Sequence, residues 1–221
     1  MFLRAKHAYA RHARRKRAAL FRALFPDAME RSILDLGGSD GSHFAMVVPG
    51  HKNVTIADID RKQLDKAEAK FGFKPRQIDG TLTLPFGDGE FDIVFCSSVI
   101  EHVTGPKDKV GKIRDTAVFE AEAVPLQQKF ASEIRRIGRG YFVQTPYKHF
   151  LIESHTNSPG LVMLLPRAAQ LEIWKRWPTC RHAPDFHLLT VKDMKRFFPG
   201  AEIHLESALG LTKSIMAVKR V

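Results

Sequence analysis

Ile33-Leu34-Asp35-Leu36-Gly37-Gly38-Ser39-Asp40-Gly41-Ser42 is an aliphatic run that breaks into a glycine-rich turn. Such a run reads as a strand, and glycines without a Cβ let backbone approach a ligand where the next helix begins. Seventeen residues past Gly41, Asp58 ends a second apolar run, Val54-Thr55-Ile56-Ala57. That is near the spacing at which a carboxylate accepts both hydroxyls of a ribose, so loop and acid together point to an adenosine-containing ligand. A nicotinamide fingerprint needs G-x-G-x-x-G, but counting from Gly37 the third and sixth positions are Ser39 and Ser42. The pattern present is D-x-G-x-S-x-G.

Outward from this loop, short apolar runs alternate with helical patterns, as in a parallel sheet with crossover helices. Residues 32–36, 53–57, 91–96 and 140–144 are expected strands, and residues 63–71 and 126–137 expected helices. Thr190-Val191-Lys192-Asp193 is a capping box that opens a further helix, stopped by Pro199-Gly200. Residues 201–207 and 213–219 make a closing hairpin, so an antiparallel pair ends an otherwise parallel sheet. Two stretches stand outside the alternation: residues 103–125, an inserted loop or short helix, and residues 146–189, expected to form a lid. In the lid, Pro166 can start a helix with Leu164, Leu165, Ala168 and Leu171 on one face.

The chain has 221 residues, 44% hydrophobic and 27% charged, which suits one soluble domain with terminal extensions. No apolar run approaches the ~18 residues of a membrane span. Two cysteines, Cys96 and Cys180, are too few for a disulfide framework or a four-cysteine metal site, and a cytoplasmic location is expected. Of the net charge of +11, eight cations (Arg4, Lys6, Arg11, Arg14, Arg15, Lys16, Arg17 and Arg22) precede Pro26 with no acid among them. As a helix this leader places Phe2, Tyr9, Ala13, Leu20 and Leu24 on one stripe, away from the arginines. It reads as a basic extension, residues 1–26, set apart from the fold, whose charged face is either solvated or attracted to acidic membrane, polyanion or anionic substrate. A mitochondrial presequence would also lack acids, but the leader has no serine and no clear cleavage site.

The chain resembles the class I S-adenosylmethionine-dependent methyltransferases, in particular the broad small-molecule methyltransferase-type domain. Asp35-Leu36-Gly37-Gly38-Ser39-Asp40-Gly41 is similar to that family's first motif, D-x-G-x-G-x-G, with Ser39 in place of the middle glycine. Asp79-Gly80, before Leu84-Pro85-Phe86, is similar to the adenine-binding segment. Phe91-Asp92-Ile93-Val94-Phe95-Cys96-Ser97-Ser98 is similar to the fourth strand and the positions just after it, and Val99-Ile100-Glu101-His102-Val103 to the V-L-E-H-V often found next. The resemblance implies a Rossmann-like, mostly parallel seven-stranded α/β sheet with helices on both faces, occupying residues 27–221. It implies S-adenosyl-L-methionine as cofactor, held by Asp35, Gly37, Gly38, Ser39, Gly41, Asp58, Ile59, Asp79, Gly80 and Ser97.

A methyl on a sulfonium carries its own leaving group, so the protein has to align a nucleophile and, for a hydroxyl acceptor, supply a base. His102, after the fourth strand, and His155, at the start of the lid, are the candidate bases, with Glu101 and Glu153 beside them. In related domains the stretch from Thr145 to His155 reads T-P-N-x-x-x-x-x-E-x-H, and Tyr147 here stands in place of the asparagine. Those two acids and two imidazoles are also a workable divalent-metal set, though no metal is expected. There is no D-P-P-Y-like run, no Pro-Cys pair and no paired-acid arginine loop, which disfavours base-amine, cytosine-carbon and protein-arginine substrates. A small-molecule, glycan-like or lipid-linked acceptor, methylated at oxygen, remains. Arg167, Lys175, Arg176, Arg181 and His182, with Trp174 and Trp177, are a candidate acceptor platform. The alternatives are an RNA methyltransferase whose leader tracks phosphates and a non-catalytic adenosine-ligand-binding regulator.

Overall fold

In a computed structural model the chain is described for residues 2–153, 155–180 and 184–221, with side chains from residue 12 onward. Seven strands form one sheet: β1 (Ile33–Leu36), β2 (Val54–Asp58), β3 (Lys74–Gln77), β4 (Phe91–Ser97), β5 (Gly138–Pro146), β6 (Glu202–Ala208) and β7 (Leu211–Lys219). Their order is β3-β2-β1-β4-β5-β7-β6. The helices are α1 (Phe2–Leu24), α2 (Ser42–Val47), α3 (Arg61–Phe71), α4 (Lys107–Val110), α5 (Thr116–Ile137), α6 (Arg167–Arg176) and α7 (Val191–Phe197). This is the mostly parallel, Rossmann-like sheet with an antiparallel close that the sequence implies. The strand at residues 74–77, Lys-Pro-Arg-Gln, was not among the expected ones: it is a largely exposed edge strand with no apolar alternation to announce it.

The chain divides into two compact units, the first running to Ser97 and adding Arg136–Phe142 and Lys219–Val221. In this unit β1 pairs in parallel with both β2 and β4, setting Asp35 opposite Ile56 and Phe95. The order of strands reverses between β1 and β4, and a crevice for ligands opens beyond the carboxyl ends at such a point. The core is aromatic. The Phe21 ring, fully buried, meets Phe44, Phe95 and Phe142 edge-on at centroid distances of 6.2, 5.6 and 5.6 Å.

Phe21 belongs to the basic leader, which corrects its placement outside the fold. Ala13, Ala18, Phe21 and Phe25 are buried, while the expected stripe residues Leu20 and Leu24 are only half-buried. The buried stripe is thus turned by one residue from the expected one, because Phe21 offers the larger apolar ring to the sheet. The side chains of Phe2 and Tyr9 lie outside those described.

The second unit comprises Ser98–Arg135 and Val143–Val218. It holds the β6–β7 hairpin, turned at Leu209 and Gly210 with φ of 54° and 75°. The capping box forms as expected: the Thr190 side chain accepts from the Asp193 amide, and Asp193 accepts from the Thr190 amide. Residues 103–125 are more helical than expected, because α5 begins at Thr116 and runs through Pro125 at the loss of one backbone donor. The lid helix starts after Pro166, but its buried face is Arg167, Gln170, Leu171 and Trp174. Leu164 and Leu165 precede the helix and are exposed, against the expected face.

Candidate functional site

In the first unit the glycine-rich loop closes over Asp35. This carboxylate is 3% exposed and folds back beneath the loop, where a Cβ on Gly38 would lie 2.1 Å from its Oδ2. Only glycine tolerates that approach. Asp35 Oδ2 has no hydrogen-bond partner among the described residues. Burial first, and then the charge of Asp58, push the Asp35 carboxyl up to about 8. Gly37 and Gly41 take φ of 74° and 71°, and Ser39 is held at 53°, the left-handed region that a glycine at this position would enter freely. A Cβ on Gly41 would press on the Phe73 ring at 2.9 Å.

A cavity of about 280 Å³ opens here, lined by Asp35, Gly37, Gly38, Ser39, His43 and Ser97, with Arg14 from α1 on its wall. Arg14 and His43 were not singled out from the sequence; the arginine is hidden among eight leader cations and comes to the loop only through helix packing. Among the described residues His43 Nε2 is buried without a partner, and burial followed by the charges of Arg17 and Arg14 lowers its pKa to about 4, so the ring is neutral. A buried carboxylate oxygen with nothing described bonded to it, under a glycine loop and in the lining of a cavity that an arginine also lines, fits the ammonium and carboxylate of an amino-acid ligand end.

Asp58 stands at the end of β2 as expected, but it does not line this cavity. Its Oδ2 accepts from the Ser39 amide at 2.9 Å and its Oδ1 from the Asp60 amide at 3.0 Å, so it braces the loop. Each carboxylate oxygen keeps a second lone pair. Ile59 is exposed, and Gly80 lies beside it, with a hypothetical Cβ 3.8 Å from Ile59 Cγ2. Asp79 is exposed and accepts from the Thr81 amide at 2.9 Å, and hydrogen bonds from Thr81 hold its carboxyl below the usual range.

The second unit gathers all four catalytic candidates. Glu101 is fully buried; its Oε2 accepts from Thr145 Oγ1 at 3.0 Å, and its Oε1 lies 3.7 Å from His155 Nε2. His155 Nδ1 is 2.6 Å from Glu153 Oε1, and the other Glu153 oxygen accepts from the Thr156 amide and hydroxyl. Burial alone would lower the His155 pKa, but the nearby Glu101 carboxylate, 3.7 Å away, and the hydrogen bond and charge of Glu153 raise it to about 9. His155 is therefore an imidazolium clamped between two carboxylates. A proton held in this way disfavours His155 as a base, and Glu153 is engaged with His155 and Thr156.

His102 is different. Its Nδ1 lies 3.1 Å from Asp185 Oδ1, the other Asp185 oxygen is 3.2 Å from Lys107 Nζ, and the imidazole is one-third exposed. The hydrogen bond from His102 and the neighbouring charges hold the Asp185 carboxyl well below the usual range. A carboxylate on Nδ1 fixes ring orientation and tautomer and leaves Nε2 as the working nitrogen. Asp185, the partner of His102, was not singled out from the sequence, since it lies 83 residues from that histidine. Phe186 completes the cluster, stacked on His155 at 4.4 Å. One ligand atom each from Glu101, His102 and His155 also lies within 4.8 Å of the others, close enough for a metal ion.

The expected acceptor platform is only partly realised. Trp174 is core, packed with Val162, Met163, Leu171, Phe186 and Leu188, and its Nε1 donates to Ser158 Oγ at 3.1 Å. Lys175 and Arg176 pair with Glu172 at the surface, and Arg181 and His182 lie outside the described residues. Arg167 instead lines a cavity of about 430 Å³ within this unit.

Residues 34–118 match the sequence pattern of a family described as a methyltransferase domain. No curated protein matches the chain. Among solved structures the chain is similar to a protein of Nostoc punctiforme PCC 73102, provisionally titled an O-methyltransferase, at TM-score 0.54 and 15% identity, covering 92% of this chain and 56% of that one. It is similar to the N-terminal domain of EvdMO1, crystallised with SAH and D-fucose, at TM-score 0.51 and 18% identity over 94% of this chain and 82% of that one. A third is magnesium protoporphyrin IX methyltransferase (ChlM) from Synechocystis PCC 6803 with bound SAH, at TM-score 0.51 and 15% identity over 96% and 85%. The chain thus spans little more than half the length of the Nostoc protein. At these identities the likeness is one of fold.

Proposed function

We propose, from the premise that the chain carries a class I S-adenosylmethionine-dependent methyltransferase domain, that it methylates an oxygen of a small-molecule, saccharide or lipid-linked acceptor. The observation that carries this is the buried Asp35 carboxylate, its Oδ2 without a partner among the described residues, in the lining of a cavity that Arg14 also lines. Those two residues suit the ammonium and carboxylate of the cofactor's methionine end, Asp58 the ribose, and Ile59, Asp79 and Gly80 the adenine. S-adenosylmethionine supplies an electrophilic methyl on a sulfonium, whose departure needs no protein nucleophile. What the chain must add is a base and a shaped acceptor site. His102, oriented by Asp185, accepts the proton of the acceptor hydroxyl at Nε2, while the Glu101–His155–Glu153 clamp fixes the surrounding walls.

The small-molecule acceptor is favoured over RNA because two cations of the basic leader are engaged within the first unit. Arg14 lines the cofactor cavity, and Arg22 Nη1 donates to the Val47 carbonyl at 2.6 Å. Support for a small acceptor also comes from the neighbours crystallised with a sugar and named for a porphyrin substrate. Among the described residues no helix is long and apolar enough to cross a membrane, and we keep the cytoplasm as the proposed location. The test is incubation with methyl-labelled cofactor and fractionated cell extract. Label in a small-molecule, glycan or lipid fraction supports the proposal, label in RNA refutes it in favour of the RNA enzyme, and cofactor binding with no label in any fraction makes the chain a regulator.

A further inference from the structure

Arg167 is 2% exposed, and no carboxylate pairs with it among the described residues. Its Nε donates to the Ile113 carbonyl at 2.9 Å, and its Nη2 to those of Val110 and Pro184 at 3.0 and 3.1 Å. The guanidinium lies 3.6 Å over the Phe119 ring. These contacts tie the start of α6 to two segments, the end of α4 with the turn after it and the loop at Pro184, yet among the described residues none of them occupies Nη1. The desolvation is not offset by any acid, and it lowers the Arg167 pKa to about 10, which leaves the group charged. A buried, charged fork with an idle nitrogen on a cavity wall is a site for an oxyanion.

The rest of that wall fixes the charge of the guest. Lys148 also lines the cavity, but its Nζ is shared with Glu120 Oε1 at 3.5 Å. His187 is held neutral by burial and by the charge of Lys148. The pair cancels, and besides the imidazoles of His149 and His187 the lining keeps one charged group without a described acid partner, Arg167. Opposed to it are apolar groups, Met163, Leu165 and Leu188, and the rim residue Leu164 is 63% exposed. A volume of about 430 Å³ is in the range of small-ligand pockets.

We propose that this cavity binds an amphipathic monoanion, a carboxylate on an apolar body, with the carboxylate on Arg167 and the body on the Met163–Leu165 wall. Calling that ligand the methyl acceptor rests on the function proposed above; the site itself does not. Binding is therefore measured by calorimetry on the full chain without cofactor, using decanoate, decanol and decyl phosphate. Decanoate is expected to bind at least tenfold more tightly than decanol, and more tightly than decyl phosphate, whose second charge has no partner. Arg167→Gln, which keeps donors for the loop carbonyls, should lose that tenfold for decanoate and leave decanol unchanged. Should Arg167→Gln fail to fold, Leu165→Trp, a partly exposed position that fills the cavity, should abolish binding of decanoate and decanol alike. Equal affinity for decanoate and decanol, tighter binding of decyl phosphate, or undiminished decanoate binding by Leu165→Trp each overturns the proposal. A titration of S-adenosylmethionine on the same samples reports separately on the methyltransferase assignment.

Discussion

Replacing Asp35 by asparagine isolates a buried carboxylate whose Oδ2, beneath the glycine loop, has no partner among the described residues. With its carboxyl pushed up to about 8, Asp35 carries a proton through most of the physiological range. An ammonium brought against Oδ2 favours the ionised form, so cofactor binding should expel that proton. At pH 6.5 the site is about 97% protonated beforehand, and close to one proton should be released per cofactor bound. Titrations in two buffers of different ionisation enthalpy measure this directly, because the apparent binding enthalpy then differs by the buffer's own ionisation heat. The release should fade as the pH passes through 8, where Asp35 is already ionised. Asp35→Asn should abolish the buffer dependence and weaken binding by roughly 1.5–3 kcal/mol, or about 10- to 150-fold, for the loss of a charge-assisted hydrogen bond. A native enthalpy that is the same in both buffers would refute the assignment of Asp35 to the ammonium.

The His155 clamp makes stability depend on pH. Its folded pKa, near 9, exceeds the ordinary 6.5, so its contribution is complete below pH 6.5 and lost as pH rises through 9. Urea unfolding between pH 6.5 and 9.5 should show a decline of about 2–3 kcal/mol, absent in His155→Ala; equal slopes for both proteins would contradict the clamp. His102→Ala should cut turnover by about 10²- to 10⁴-fold with cofactor affinity intact, and Asp185→Asn, which spoils only the tautomer, should lower turnover less; loss of cofactor affinity in step with turnover would make the pair structural. Asp58→Ala should weaken cofactor binding by ~2 kcal/mol in calorimetry, and part of that loss should persist with a cofactor analogue lacking the ribose hydroxyls, since the Ser39 amide is also released. Full native affinity in Asp58→Ala would remove it from the site.

The glycine-loop half of this structure was legible because its signals are local. Asp35, the glycines and Asp58 lie on consecutive strand ends, and glycine at Gly38 is demanded by an atom three residues away. Elements that depend on distant partners left little trace. Strand β3 has Pro75 and exposed polar residues, and it exists because β2 offers it an edge. The buried face of α1 was misjudged by one residue, for its choice is made by Phe44, Phe95 and Phe142, which no helical period within the leader contains. The histidines were found by their place after strands, but what separates them was not. His102 meets one acid 83 residues away, whereas His155 lies between two, and neither partner set can be read from the sequence spacing. Arg167 likewise was one of five basic residues in the candidate acceptor platform, and nothing in the sequence set it apart from the others before its carbonyl partners were in view.

A crystal structure of the chain with S-adenosylmethionine tests the central claim most directly. The amino group of the ligand is expected within hydrogen-bond distance of Asp35 Oδ2, its carboxylate beside Arg14, and its ribose hydroxyls on Asp58. A ligand bound elsewhere, or an Asp35 oxygen still unbonded beneath the occupied loop, would contradict the account.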